Sequence, residues 1–486
     1  MSTNRLAPSQ AWLGTMLASA GAAFLTACIT VGPDYEPPVT SLPGAWHEPA
    51  ESGLASGTAD LAGWWHRLGD PVLDELVARG TRQSLDLREA FARVREARAL
   101  RGVAASERYP TVDGRVAFTR TGQSENTVFG AFVPDANEYS AGFDAAWEID
   151  LWGRVRRSVE AADADLATTV EDARDVLVTV AAEVALSYVD LRGFQRRLAI
   201  ARDNLSLQEQ TLDLVRGRFE AGLVGEGDVA QARTNLETTR SALPAFEIGL
   251  RAAENRLAVL LGQAPGTLAA ELAGEGTIPV PPLAVAVGVP ADLLRRRADV
   301  RSAERALAAE TARIGVAEGD LYPRLALFGS LGLASEEASD LFRTSSAASI
   351  FGPSLRWNLF DAGRLRQFVA AQEARTDQAL ARWERTVLGA LEESENAMTA
   401  FVHEQARRAS LFEAASQARL AVDFARTQYT EGLSDFQNVL VSERSLAVLE
   451  DELATSDAAI ATHLIRLYKS LGGGWDEGEL QIAASF

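Results

Sequence analysis

The residue types that most often carry chemistry are few in this chain, and they do not form a known site. No Ser/His/Asp set and no glycine-rich phosphate loop is found in the sequence. The single cysteine, Cys28, has no second thiol with which to form a disulfide. The histidines show no metal-ligand spacing; they are His47, His66, His403 and His463. We therefore expect a protein that is not an enzyme and holds no metal.

Cys28 ends a segment with the features of a targeting signal. Arg5 supplies a positive charge, the run from Ala11 to Ala27 is too short to span a bilayer comfortably, and the segment closes as LTAC. It resembles the lipobox of bacterial lipoprotein precursors. The resemblance implies cleavage before Cys28, a covalent diacylglycerol and an N-acyl chain on that residue, and no other cofactor. In the sorting pattern of these lipoproteins, aspartate after the cysteine holds the protein at the inner membrane. This chain has Ile29 at that position, which favours export to the outer membrane.

We therefore assign residues 1–27 to a lipoprotein signal peptide and 28–73 to a lipidated N-terminal linker. The alternative is an ordinary buried thiol that follows a signal peptide.

The bulk composition restricts the class of protein further. Of the 486 residues, 47% are hydrophobic and 23% are charged, so the chain is not disordered by composition. The net charge is −20, and no basic stripe is visible, so we expect no nucleic-acid partner.

Two stretches of the chain are versions of one another. WEIDLWGRVRR starts at Trp147, and WNLFDAGRLRQ starts at Trp357, 210 residues later. At the same offset, Gly222 returns as Gly432 and Gly262 as Gly472. The pattern predicts two repeats, 74–262 and 290–472. Residues 263–289 are rich in Gly and Pro and form an equatorial connector, and 473–486 form a C-terminal tail.

Each repeat is predicted to contain a helix, a β-hairpin, a very long helix and a return helix. Strands of about ten residues span near 33 Å, which suits a membrane when they are tilted. The long helices reach roughly 100 Å at ~1.5 Å per residue, and each return helix is about half as long. In the first repeat the ranges are 74–108, 111–149, 154–221 and 228–262. In the second they are 291–319, 325–360, 364–431 and 438–471.

The first long helix carries a coiled-coil seam. Apolar residues alternate in steps of four and three from Leu166 to Phe219, interrupted only by Ser187 and Gln208. The second long helix fits the seam less well, because Thr376, Glu404 and Arg408 fall on it. Both helices need partners, since a lone helix would leave that stripe in water.

Several stretches taken in order resemble the TolC-like outer-membrane factors, and more closely the NodT-type lipoproteins of resistance-nodulation-division (RND) efflux systems. They are LTACITVGPDYEPP, WWHRLGDPVLDELV, FDAAWEIDLWGRVRRSVEA, RFEAGLVGEGDV, LLRRRADVRSAE and LGGGW. The resemblance implies a mixed fold, all-α plus membrane β-barrel. Three chains would close a twelve-stranded barrel, which a twelve-helix coiled-coil tunnel continues.

The implied function is a passive outer-membrane exit duct for drugs or other small molecules. An inner-membrane RND transporter would drive export through a periplasmic adaptor. The protein would be a homotrimer in contact with outer-membrane lipid, anchored by its own lipid and extended into the periplasm. Two alternatives remain open: an outer-membrane channel for type I protein secretion, and a lipid-anchored periplasmic coiled-coil scaffold.

The turns at 218–229 and 428–439 are the predicted functional sites. Gly222 and Gly432 stand where a helix end favours positive φ, and Asp228 and Asn438 suit the N-caps of the return helices. By resemblance, these turns form the periplasmic tip that meets the adaptor. The contact candidates are Arg218, Phe219, Gly222, Leu223, Tyr429, Gly432 and Leu433. The gate candidates are Asp435, Gln437 and Val441.

Overall fold

The computed structural model describes residues 30–39, 42–47, 54–55, 61–122, 124, 126–127, 135–274, 276–281, 285–292 and 296–475. The predicted lipidation site, Cys28, lies outside these residues. Within the described ranges, no helix combines the length and the apolar character needed to cross a membrane.

Long helices and two hairpins make up most of the described chain. The elements are β1 (Leu54–Ala55), α1 (Pro71–Gln83), α2 (Leu85–Ser106), β2 (Thr111–Thr121), β3 (Ala136–Ile149), α3 (Arg154–Glu220), α4 (Glu226–Leu260), α5 (Ala269–Leu272), β4 (Val285–Ala286), α6 (Ala298–Gly319), β5 (Arg324–Ser335), β6 (Ala347–Arg356), α7 (Arg364–Thr430) and α8 (Phe436–Ser470). Helices α3 and α7 each have 67 residues, and α4 and α8 each have 35.

The predicted helix over 74–108 is two helices, because the chain leaves helical geometry at Ser84, where ψ is 134°. The first of them starts inside the predicted 28–73 linker. Asp70 caps it by accepting hydrogen bonds from the Val72 and Leu73 amides, and Pro71 fills the first helical position. In the second half, the helix predicted over 291–319 begins at Ala298, and the hairpin predicted to reach 360 ends at Arg356.

The return helices begin two residues earlier than predicted. Gly225 and Asp435 are the N-caps, in place of Asp228 and Asn438. The Asp435 carboxylate accepts a hydrogen bond from the Asn438 amide at 3.4 Å, so Asn438 is the residue that is capped. Asp435 thus caps its helix with a side chain, whereas Gly225 makes no side-chain cap bond.

The described chain forms two compact units. The first comprises residues 30–38, 96–122, 124, 126–127, 135–168 and 304–382. It holds an antiparallel sheet with strand order β2-β3-β5-β6. Val116 pairs with Ala141, Phe143 with Leu331, and Leu325 with Leu355. Strands β2 and β6 form the two edges of this sheet.

The two faces of the sheet differ in chemistry because side chains alternate along each strand. One face carries large apolar side chains, all exposed in the chain: Val112, Val116, Phe118, Phe143, Leu331, Phe351 and Leu355. The other face carries charged and hydroxyl groups together with Phe328 and Ile350. Among its polar residues are Asp113, Arg115, Glu138, Ser140, Asp144 and Ser330.

The repeated tryptophans make the same contact in both hairpins. The Trp147 indole donates to the Arg108 carbonyl at 3.0 Å, and the Trp357 indole donates to the Leu321 carbonyl at 3.1 Å. Each bond ties the end of a hairpin to the turn that precedes it. This shared role gives a physical reason for tryptophan at both positions of the repeated sequence.

The second unit comprises residues 39–95, 169–303 and 383–486, of which 476–486 are among those not described. The predicted seam of α3 is buried here, as Ala173, Leu191 and Val215 illustrate, and Ser187 and Gln208 are buried with it. Phe219, at the end of the seam, is exposed. Trp64 is 1% exposed and stacks on Tyr468 with ring centroids 5.6 Å apart.

Candidate functional site at the helix turns

The two turns close long helices in the same way. Gly222 and Gly432 have φ of 75° and 77°, as their positions predict. The amide of Leu223 donates to the Arg218 carbonyl at 2.9 Å, and the amide of Leu433 donates to the Gln428 carbonyl at 2.8 Å. This is the Schellman geometry that a left-handed glycine permits at a helix end.

Arg218 joins the first turn to the second. Its Nη1 donates to the carbonyls of Tyr429 and Thr430, the latter at 3.2 Å. The guanidinium carbon also lies 4.6 Å from the centroid of the Tyr429 ring. Two residues 211 positions apart therefore form one contact that holds α3 to α7 at their ends.

Burial divides the predicted contact residues into two groups. Phe219, Leu223 and Leu433 are exposed apolar side chains, at 44%, 66% and 79%. Tyr429 is only 2% exposed, so its side chain offers no surface in this arrangement. Its burial raises the pKa of the phenol, although the Arg218 charge opposes the shift.

The gate candidates lie at the start of α8. Asp435 is the N-cap, and Gln437 and Val441, four residues apart, share an exposed face of the helix. Phe436, Val439 and Leu440 point the other way and are buried. They belong to an apolar cluster that also includes Leu212, Val215, Ala232, Leu236, Ala425 and Tyr429.

A buried polar layer lies among these apolar side chains, and the sequence analysis did not identify it. Glu443 of α8 accepts a hydrogen bond from the Thr211 hydroxyl at 2.6 Å and from the Asn235 amide at 3.4 Å. Arg444 donates to the Asn235 side-chain oxygen at 3.1 Å. The available signal was Gln208, which interrupts the seam one turn before Thr211 and is also buried.

A second polar site lies at the other end of α3, within the first unit. Arg157 is 3% exposed and donates to the carbonyls of Val31 and Gly32, each at 3.0 Å. It also binds the Asp34 carboxylate at 2.7 Å. Three contacts from one cation therefore fix the first residues that the structure describes. Across the described residues, no group of His, Cys, Asp and Glu is arranged to hold a metal ion.

Comparison with known proteins identifies the family. The family model for the outer membrane efflux protein matches residues 79–263 and again 289–473. Nodulation protein T of Rhizobium leguminosarum bv. trifolii is 30% identical over 453 residues, which cover 93% of this chain and 96% of that protein. The toluene efflux pump outer membrane protein TtgF of Pseudomonas putida is 29% identical over 468 residues, 93% and 95% of the two chains.

A solved structure of the outer-membrane channel OprN is similar over nearly the whole chain. The identity is 37%, the TM-score is 0.86, and the match covers 92% of this chain and 99% of that one. The resemblance inferred from the sequence motifs is thereby confirmed. With two matches to the family model and relatives that align along more than nine-tenths of its length, the chain belongs to the outer membrane efflux protein family.

Proposed function

We propose that this chain is one subunit of a trimeric outer-membrane channel that serves as the exit duct of a tripartite efflux pump. The observation that carries the proposal is a four-stranded sheet with two edges, β2 and β6. An edge strand leaves N–H and C=O groups that hydrocarbon cannot satisfy. Four strands are too few to close, since small barrels have about eight. Several copies must share one barrel, and three copies supply twelve strands.

The apolar face of the sheet supports a membrane position. Val116 is 85% exposed, Phe351 83% and Leu331 66%, and all three lie on the same face. Water disfavours so large an apolar surface, and lipid tails accept it. The opposite, polar face would then line the lumen of the barrel, as in transmembrane barrels generally.

The helices support a tunnel that continues the barrel. Each 67-residue helix reaches roughly 100 Å at ~1.5 Å per residue. Two long helices and two pairs of shorter ones in each chain, taken three times, give twelve helical columns. The similarity to the channel OprN over the full length supports the same assembly.

The partners follow from the relatives. TtgF is the outer membrane protein of a toluene efflux pump, and we infer that this chain likewise works with an inner-membrane RND transporter and a periplasmic adaptor. Phe219, Leu223 and Leu433 are the exposed apolar residues at the turns, and they are the proposed adaptor contacts. The cargo would be a small organic molecule, and the chain would conduct it without chemical change.

Lipidation of Cys28 is a separate part of the proposal. The LTAC segment that ends at Cys28 supports it. The Arg157 contacts hold Val31, Gly32 and Asp34 a few residues after that cysteine. A diacylglycerol on Cys28 would then enter the membrane from a fixed place on the first unit. Mass spectrometry of the purified protein tests this directly, and a mature chain that begins elsewhere or lacks acyl mass would contradict it.

The efflux role is tested by dye and drug accumulation in a strain that lacks this gene. The deletion strain is complemented with wild type or with Leu223→Asp/Leu433→Asp, which place charge on the proposed adaptor surface. We expect the deletion to raise accumulation, wild type to restore it, and the double variant to fail although it reaches the outer membrane in normal amount.

The matched control is Gln428→Asp, an exposed residue of the same turn with a polar side chain. It should complement as wild type does. Unchanged accumulation of every compound in the deletion strain would contradict the efflux role. Full complementation by the double variant would contradict the proposed adaptor surface.

A further inference from the structure

Glu443 is a carboxylate in a place that disfavours charge. It is 2% exposed and lies on α8 between buried apolar residues, with Val439 and Leu440 on one side and Leu446 on the other. A carboxylate normally enters such a core only with a cation beside it. Among the residues that the structure describes, none forms an ion pair with Glu443.

Neutral donors take the place of that cation, and they come from two other helices. Thr211 of α3 donates its hydroxyl at 2.6 Å, and Asn235 of α4 donates its amide at 3.4 Å. Glu443 therefore joins α8 to both α3 and α4, near the two turns.

The charged groups around Glu443 are few. Arg444, on α8 itself, donates to the side-chain oxygen of Asn235. Arg426 of α7 favours the charged form of Glu443. The groups that α3 and α4 direct at the carboxylate, Thr211 and Asn235, are uncharged. Burial outweighs these influences and raises the pKa of Glu443 above its ordinary 4.5.

We propose that Glu443 is a proton-dependent contact between helices. It holds the first turns of α8 to α3 and α4, and it releases a proton when α8 separates from them. The protonated side chain fits the apolar core and keeps the hydroxyl and amide contacts. The ionised side chain gains by reaching water. Low pH therefore stabilises the packing of α8 on α3 and α4, and rising pH destabilises it. If the proposed channel function is correct, the position of Glu443 behind the turns makes it a pH control on opening of the tip.

The direction of the effect follows from proton binding. A group whose pKa is raised in the packed state binds its proton more tightly there than in the separated state. Its contribution to packing is complete below pH 4.5 and is lost as the pH rises through the raised value. One proton gives a slope of at most tenfold in the opening constant for each pH unit.

The test is hydrogen–deuterium exchange of the full chain in detergent or nanodiscs, followed at the amides of 436–446. Opening constants are compared between pH 4 and 8 after correction for the intrinsic pH dependence of exchange. We expect the wild-type constant to rise with pH over this window and the constant of Glu443→Gln to be flat. Flat or falling wild-type behaviour, or a wild-type slope in Glu443→Gln, would overturn the proposal.

A second variant keeps the test decisive if Glu443→Gln folds poorly. Thr211→Val keeps the side-chain shape but removes a hydrogen bond that favours the charged form, so the rise should move to higher pH. If the opening constant of Thr211→Val rises over the same pH range as in wild type, the proposal is overturned.

The control is Glu254→Gln. Glu254 is a buried glutamate of α4 whose carboxylate lies 2.7 Å from Arg251, and its loss should leave exchange at the tip unchanged. Because no transport is measured, this test can fail while the efflux role stands, and the reverse also holds.

Discussion

The two long helices, α3 and α7, have equal length and equivalent places in the repeat, but they bury different amounts of apolar surface. On α3 the large apolar side chain left exposed is Phe219, at the very end. On α7 exposed apolar residues are spread along the helix: Phe368, Leu388, Phe412, Leu420 and Phe424. Helix α3 therefore packs within its own chain, whereas α7 leaves apolar side chains uncovered, and we propose that other copies of the chain cover them.

The sequence offset makes the difference specific. Phe412 of α7 corresponds to Arg202 of α3, and Leu420 corresponds to Gln210. At the ends of the two helices, it is α3 that makes the additional contacts. Arg157 and Arg218 of α3 each bind another part of the chain, but α7 has Gln367 and Gln428 at those positions. The first long helix thus makes contacts within the chain at both ends, and we propose that the second long helix provides a surface for assembly.

The largest expected effect is on assembly. Leu420→Asp would replace an exposed apolar side chain of α7 by a carboxylate, and an unpaired charge buried in the proposed interface would cost several kcal/mol. We expect at least ~10-fold less trimer, because 1.4 kcal/mol already corresponds to tenfold. Unheated gels and mass photometry of purified protein measure this. Gln210→Asp is the matched control on α3 and should assemble normally; equal loss in both variants would refute the asymmetry between the helices.

The next effect concerns the start of α3. Arg157→Met keeps much of the side-chain volume but removes the bonds to Val31, Gly32 and Asp34. Hydrogen bonds to a charged group contribute about 1.5–3 kcal/mol each, so the loss of three should make local opening of residues 31–34 easier by at least ~3 kcal/mol. Exchange of the Val31 amide, which donates to the Trp152 carbonyl at 3.0 Å, reports it. Arg156→Met changes a neighbouring and more exposed arginine and should behave as wild type. If protection from exchange survives in Arg157→Met, the Arg157 contacts do not hold this segment.

A smaller effect is expected at the end of α3. Arg218→Ala removes the bonds to the Tyr429 and Thr430 carbonyls, together with the contact to the Tyr429 ring. The tip should open more easily by about 1.5–3 kcal/mol, which is more than tenfold in exchange at 428–436. Gln428→Ala, at the equivalent position of α7, serves as the control. Equal exchange in the two variants would mean that the arginine does not join the turns.

The smallest effect has the opposite sign. The Tyr429 hydroxyl is buried and has no hydrogen-bond partner among the described residues. Tyr429→Phe keeps the ring beside Arg218 and removes an unsatisfied polar atom, so the tip should be unchanged or more stable by about 1 kcal/mol. Thermal unfolding and tip exchange measure it. A loosened tip would show that the hydroxyl has a partner in the assembled protein.

Local sequence signals were sufficient for much of the fold. Proline and glycine mark where helices and turns begin and end, and the α3 seam is visible because apolar spacing records burial directly. The break at Ser84 was not predictable in this way, since serine does not by itself end a helix. It reflects tertiary packing: a Cβ at Gly80 would lie 2.9 Å from the Val184 side chain, so α1 is pressed against α3.

The site was harder to predict than the fold. Arg218 and Tyr429 were predicted by resemblance to contact a partner protein, which stays a prediction, and the structure adds that they bind each other across 211 positions. No local pattern records such a distant pairing. Glu443 was missed for the same reason: its neighbours along the chain identify it as a buried position, but its hydrogen-bond partners lie on α3 and α4.

We propose that two further copies of this chain cover the open sheet edges and the exposed apolar side chains of α7. Native mass spectrometry of the protein, extracted from outer membranes in mild detergent, tests this most directly. We expect a complex with the mass of three mature chains. A folded protein with the mass of one chain, stable without partners under these conditions, would contradict it.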